Sequence, residues 1–137
     1  GFERAVAAAD EALVVVNPSL SSLRDADKAV SLIKSYGLEK IQVVVNRARG
    51  DLIAASLTIG VGDIKKILKL DIAGVLPDDD GILLGDAKRL TKLYTSDKAY
   101  SYLAKNLTGA GKGKLYDPVS PYRGIFGRLK IAAARRL

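Results

Sequence analysis

The 137 residues include no cysteine, histidine, methionine or tryptophan. Without cysteine there is no disulfide framework, no thiolate metal site and no thiol nucleophile. Without histidine, imidazole acid–base chemistry is excluded, and so are most zinc sites. A phosphate-binding loop is missing as well, since Gly60-Val61-Gly62 has neither the remaining glycine nor the lysine such a loop requires. No apolar run is long enough to span a bilayer. The start, Gly1-Phe2-Glu3-Arg4, lacks the basic and apolar regions of a signal peptide. The lack of any methionine reads as a fragment or a processed product of a longer chain.

What the chain does have is a phrase used twice, a short apolar strand that ends in asparagine. Leu13-Val14-Val15-Val16-Asn17-Pro18 leads into a helical stretch, and Ile41-Gln42-Val43-Val44-Val45-Asn46-Arg47 repeats the phrase. Runs of β-branched residues without polar alternation suit strands buried on both faces. Strand, helix, strand in that order implies a βαβ unit in a parallel sheet, whose ligands bind beyond the carboxyl ends of the strands. Asn17, Asn46 and, after a third strand, Pro77-Asp78 all fall at that end.

The pattern places helices over 2–10, from Ser19 to Gly37, over 63–69 and near 95–107. Strands fall at 12–17, 41–46 and 72–76. The helix after Asn17 has N-cap candidates in Ser19, Ser21 and Ser22, and Leu23, Ala26, Val30 and Ile33 share one face. Residues 47–60 read as a loop with a short apolar turn. The late helix is capped by Thr95 or Ser96 and buries Ala99, Leu103 and Leu107. The chain thus divides into a body over 1–107, a glycine- and lysine-rich flexible linker over 108–120, and a final helix over 121–137 started by Ser120-Pro121.

Charge follows the same division. Residues 1–111 carry 15 Lys/Arg against 14 Asp/Glu, whereas 112–137 carry 7 against a single Asp. A nearly neutral body argues against a nucleic-acid surface on it. In the tail, Ile125, Phe126, Leu129, Ala132 and Ala133 gather on one side, with Ile131 falling toward the polar side. Arg123, Arg128, Lys130, Arg135 and Arg136 surround them. Such a helix suits the interface of an anionic bilayer. A helix docked on the body, a disordered basic tail and a nucleic-acid contact are the other readings.

The remaining polar groups carry weaker signals. Asn46-Arg47 could read the edge of a purine, since an asparagine amide both donates and accepts; turn chemistry after a strand is the other reading. Asp78-Asp79-Asp80 reads as a solvated turn rather than a metal site. Asp25 and Asp27 do not face each other on a helix and read as surface or interface charge. No catalytic residue and no metal ligand set is assigned.

Together these blocks resemble the C-terminal half of the MinD-type septum-site-determining ATPases, of the ParA/MinD deviant-Walker P-loop family. The carriers are Ala9–Pro18, the run Ser21-Ser22-Leu23-Arg24-Asp25-Ala26-Asp27, Val44-Val45-Asn46-Arg47, Gly74-Val75-Leu76-Pro77-Asp78-Asp79 and the basic tail. The resemblance implies an α/β fold, the C-terminal half of a doubly wound parallel sheet of the P-loop NTPase kind, ending in an amphipathic helix. It implies ATP and Mg²⁺ as cofactors of the full-length protein, with Asn46, Arg47, Pro77 and Asp78 lining the adenine pocket. Arg24, Asp25 and Asp27 would lie at the dimer and partner interface, where MinC- and MinE-like proteins bind. Ile125, Phe126 and Leu129 would enter lipid while Arg128 and Lys130 hold anionic headgroups. The implied protein is an ATP-driven homodimer on the inner face of the cytoplasmic membrane that places the division septum.

Departures from the family pattern are equally visible. The phosphate loop and both switch segments are absent, Ser19 stands where Glu often follows the proline, and Gly85-Asp86-Ala87-Lys88 replaces the run expected after Asp80. Hence this chain is expected to bind anionic lipid weakly and not to hydrolyse ATP by itself. A non-enzymatic membrane- or partner-binding paralogue, a ParA-like DNA-partitioning protein and a flagellar-placement ATPase are the alternatives.

Overall fold

Three valines in a row set the architecture. Val43, Val44 and Val45 are all within 2% of complete burial. Side chains alternate between the faces of a strand, so β2 (Ile41–Ala48) must be covered on both sides. It is the central strand of a three-stranded parallel sheet, in the order β1-β2-β3, with β1 at Ala12–Val16 and β3 at Asp71–Pro77. The computed structural model describes residues 1–79 and 95–134. The readings that involve Asp80, the Gly85–Lys88 run, the side chain of Thr95, Arg135 and Arg136 lie outside the described residues.

One face of the sheet packs on α2 (Leu20–Ser35) and α4 (Val61–Leu68). There Val16, Val43, Val45 and Val75 meet Leu23, Ala26, Ile64 and Leu68. The other face packs on α5 (Thr95–Leu107), where Val44, Ala73 and Leu76 meet Ala99 and Leu103. Gly74 makes this second layer possible, because a Cβ there would come within 2.7 Å of Leu103 Cδ1. A short α1 (Phe2–Ala7) adds Val6 to a smaller cluster with Val30, Ile33 and Ile41.

The start of α2 is fixed by a reciprocal serine exchange. The Ser22 N–H donates to Ser19 Oγ (3.3 Å), while Ser22 Oγ accepts the Asn17 N–H (3.0 Å). Two orphan donors at the strand–helix junction are thereby satisfied. Ser19 is thus the cap.

Several elements depart from the expected ones. β1 alternates instead of being buried on both faces: Val16 is 1% exposed, but Val15 is 58% and Leu13 41% exposed. Helix α5 covers β2 and β3 and stops short of β1, which pairs only with β2 among the described residues. Strand β2 runs two residues beyond the expected 46, and residues 50–54 form a further short helix, α3 (Gly50–Ala54), inside the expected loop. Residues 108–120, expected as a flexible linker, run back along the body. Leu115 joins the first core cluster and Tyr116 the second, Pro118 is buried, and the Asn106 amide donates to the Lys114 and Ala73 carbonyls (3.0 and 2.9 Å).

The final helix also starts later than Ser120-Pro121 suggests. Ser120–Tyr122 is a 3₁₀ turn, and α6 covers Gly124–Ala134. Asp117 organises the turn by accepting the Val119 N–H (3.0 Å) and pairing with Arg123 (2.8 Å). Gly124, at φ +81°, then redirects the chain through the left-handed region that glycine enters without strain.

Two stability outcomes are expected. Ile64 is completely buried, so Ile64→Ala should cost about 2–5 kcal/mol and Ile64→Val about 0.5–1.5 kcal/mol by urea titration. The β1 edge, unpaired on its outer side among the described residues, is with its exposed apolar side chains a template for association. Val15→Lys should therefore reduce self-association in analytical ultracentrifugation at little cost in stability.

Candidate functional site

The carboxyl ends of the three strands converge on one small cavity of about 290 Å³. Its polar wall comes from Asn17 after β1, Arg47 and Arg49 at and beyond the end of β2, and Asp78 after β3. Leu52 of α3 and Pro18 supply apolar surface. Thr58 closes one side, its hydroxyl donating to the Pro18 carbonyl at 2.6 Å. That bond bridges 40 positions of sequence and ties the loop after α3 to the end of β1.

The local backbone explains how Arg47 and Asp78 meet. Pairing between β2 and β3 shifts register once between Val43 and Val44 and again after Val45↔Val75, resuming at Ala48↔Pro77. The extra residues form a bulge, and Arg47 adopts φ +54°. A non-glycine residue in this region carries strain that its surroundings must offset. Here the offset includes an ion pair, Arg47 Nε to Asp78 Oδ1 at 3.2 Å, and a backbone bond in which the Asp78 N–H donates to the Ala48 carbonyl (3.3 Å). Asp78 is three-quarters buried at its side chain and Arg47 is largely exposed, so the carboxylate is the fixed member.

Beside this pair lies a second. Arg49 makes a bidentate contact with Asp51, Nε to Oδ1 at 3.0 Å and Nη2 to Oδ2 at 2.7 Å. The hydrogen bond to Arg49 holds the Asp51 carboxyl below the usual carboxylate range, although partial burial opposes it. The same bond raises Arg49, with smaller contributions from the charges of Asp78 and Tyr122.

Of the four expected base-lining residues, the structure brings two together. Arg47 and Asp78 line the cavity, whereas Asn46 and Pro77 are half-buried in the strand ends and do not. Asn17, Arg49, Leu52 and Thr58 take part instead. The paired strand-end asparagines were a signal for Asn17; nothing in the sequence marks Thr58. Arg24, Asp25 and Asp27 all stand exposed on α2, away from Leu23 and Ala26. Among the described residues no group of three or more acidic, histidine or cysteine side chains could hold a metal ion.

At the tail, Ile125, Phe126 and Leu129 are 80%, 82% and 61% exposed, with Arg128 and Lys130 exposed beside them. Gly127 is buried against Tyr122, and Ile131, one turn on, is half-buried. The helix thus rests on the preceding 3₁₀ turn at Gly127 and presents Ile125, Phe126 and Leu129 to solvent. No helix among the described residues is long and apolar enough to cross a membrane.

A parallel sheet with a polar cavity at its carboxyl ends places the chain among the open-sheet α/β proteins that bind ligands there, and comparison with known proteins narrows this. No family model matches. Curated relatives named septum site-determining protein MinD do match. They include those of Synechocystis (35% identical, 80% of this chain and 43% of the relative) and Thermotoga maritima (32%, 95% and 50%). A putative MinD of Chlorella vulgaris is 31% identical over 95% of this chain and 48% of its own length. The Aquifex aeolicus MinD cell division protein superposes with a TM-score of 0.72 at 34% identity, over 80% of this chain and 48% of that one. A MinC:MinD complex from the same organism matches equally well. The chain corresponds to the C-terminal part of a MinD-like protein and spans about half the length of the relatives it matches.

The Asp51 shift gives a pH dependence with a definite sign. Its carboxyl titrates lower in the folded chain than in the unfolded one, so its stabilisation is present above the unfolded value near about 4 and is lost as pH falls through the folded value. Asp51→Asn should reduce the loss of stability between neutral and acidic pH, measured by thermal melts across that range.

Proposed function

We propose that this chain is the base-side and membrane-side portion of a MinD-like ATPase that cycles on and off the inner face of the cytoplasmic membrane and regulates placement of the division septum. The observation that carries this reading is the tail. Three neighbouring large apolar side chains face solvent beside Arg128 and Lys130, on a helix whose Gly127 rests on the preceding turn. Burying that face in lipid removes apolar area from water, while each cation near an anionic surface adds about 1 kcal/mol. Two tails in a dimer would multiply a weak single attachment through effective concentration. The body over 1–107 would then carry the nucleotide and partner surfaces, and 121–137 the lipid contact.

The strand-end cavity fits the base end of a nucleotide. The Asp78 carboxylate can accept hydrogen bonds from an exocyclic amine, and the Arg47 guanidinium can lie over a ring face. Neither contact serves the phosphates. ATP and Mg²⁺ would be gripped by the half of the relatives' length that this chain does not span. Similarity to the Pyrococcus furiosus cell division ATPase MinD, 26% identical with a TM-score of 0.60, supports the nucleotide assignment. The MinC:MinD complex supports a MinC-like partner, and exposed Arg24, Asp25 and Asp27 are the proposed contacts for it, for a MinE-like protein and for the second subunit.

Co-sedimentation with phosphatidylglycerol and phosphatidylcholine vesicles tests the reading. The chain should bind the anionic vesicles and lose binding when Ile125, Phe126 and Leu129 are replaced by serine. Arg128→Gln should weaken partitioning by about 1 kcal/mol, roughly fivefold, at low salt. Equal binding to neutral vesicles, or binding indifferent to these substitutions, would refute it.

A further inference from the structure

Helix α5 meets the returning segment at a cluster that neither the strand-end cavity nor the tail helix uses. Lys98 and Tyr102 stand one turn apart on α5 and so share a face. Lys114 reaches the same ring from the segment after the helix. Its Nζ lies 5.2 Å from the centre of the Tyr102 ring, and that of Lys98 lies 5.9 Å from it.

Lys114 is brought there by its backbone rather than by its own charge. Gly113, at φ +69°, turns the chain just before it. The Asn106 amide donates to the Lys114 carbonyl (3.0 Å) and to the Ala73 carbonyl of β3 (2.9 Å), which pins the segment to α5 and to the sheet. The next two residues, Leu115 and Tyr116, pack against the two main core clusters. The backbone is thus anchored on both sides while the lysine side chain stays exposed.

Two ammonium groups at one ring repel each other, and the face of a phenol offsets only part of that repulsion. No carboxylate among the described residues forms an ion pair with either lysine. Lys105, further along the same face of α5, and Lys112 add charge of the same sign. The effect is felt by the phenol itself. Burial pushes the Tyr102 hydroxyl up, but the hydrogen bonds and charges of Lys114 and Lys98 outweigh it and bring the group below its ordinary value. Such a cluster is complementary to an anion. Both ammonium groups donate, and the phenol O–H can donate to the same acceptor oxygens. Two cations match the charge of a phosphomonoester, close to two units near neutral pH, better than the single charge of a phosphodiester.

We propose that Lys98, Tyr102 and Lys114 form a binding site for a phosphomonoester, carried either by a soluble compound or by a lipid headgroup. The site belongs to the body of the chain. It depends on neither the base-site reading nor the lipid contact of the tail.

The test is an NMR titration of the isotope-labelled chain with methyl phosphate, with dimethyl phosphate as the diester control, at constant ionic strength. Resonances of Lys98, Tyr102 and Lys114 should move saturably with the monoester and little with the diester. Lys98→Gln and Lys114→Gln alter exposed side chains and should each weaken binding about tenfold. Tyr102→Phe keeps the ring and should weaken it less. Affinity should also fall as pH drops through about 6, where the monoester takes up its second proton. Equal shifts with the diester, or an affinity that neither lysine substitution changes, would overturn the site. Vesicles separate the two sources, using the chain with serine at Ile125, Phe126 and Leu129 so that the tail does not contribute. Preference for phosphatidic acid over phosphatidylglycerol at equal surface charge, lost in Lys98→Gln, assigns the site to a headgroup. Saturable methyl phosphate binding without that preference assigns it to a soluble phosphomonoester.

Discussion

Burial of β2 on both faces is the constraint from which the rest follows. Three consecutive valines cannot all point to one side of a strand, so two separate layers must be recruited to cover them. Helices α2 and α4 supply one layer and α5 the other. The chain can bring α2 and α4 to one face only by parallel crossovers, which leaves the carboxyl ends of all three strands at the same edge. The candidate site exists because of that alignment. Asn17, Arg47 and Asp78 are far apart in sequence and become neighbours only because their strands run in the same direction.

The two-layer rule also explains where the structure is incomplete. Helix α5 serves β2 and β3, and Tyr116 reinforces the same cluster. β1 gets one layer, so Leu13 and Val15 remain in water and its outer edge has no strand beside it among the described residues. The relatives are about twice as long as this chain. An apolar sheet edge in a half-length piece is what a doubly wound sheet would leave at the boundary between its halves.

Glycine does in this molecule what side chains do in most interfaces. Gly74 lets α5 approach β3, Gly50 lets the returning segment lie on α3, and Gly127 lets α6 settle on the 3₁₀ turn. None of the three has a positive φ; each is there for closeness rather than for conformational freedom. The stretch after α5, rich in glycine and lysine, looks like a tether, yet Leu115, Tyr116 and Pro118 fasten it to the body. The 3₁₀ turn that precedes the tail helix is therefore seated on α3, next to the site.

The sequence alone determined the strands, their parallel arrangement, the inward face of α2 and the strand ends where a site would form. These depend on local periodicity and chirality, which a string of residues carries. It also marked the basic tail, because charge and apolar spacing within seventeen residues need no tertiary information. The tertiary structure decided which strand-end residues share a cavity. A bulge at Asn46–Arg47 rotated Arg47 onto Asp78 and left Asn46 and Pro77 in the strand ends, and Thr58 reached Pro18 across 40 positions. It also decided that Ile131 is half-buried while Phe126 faces water. Such outcomes turn on contacts between segments distant in sequence, and no periodicity within one segment records what will pack against it.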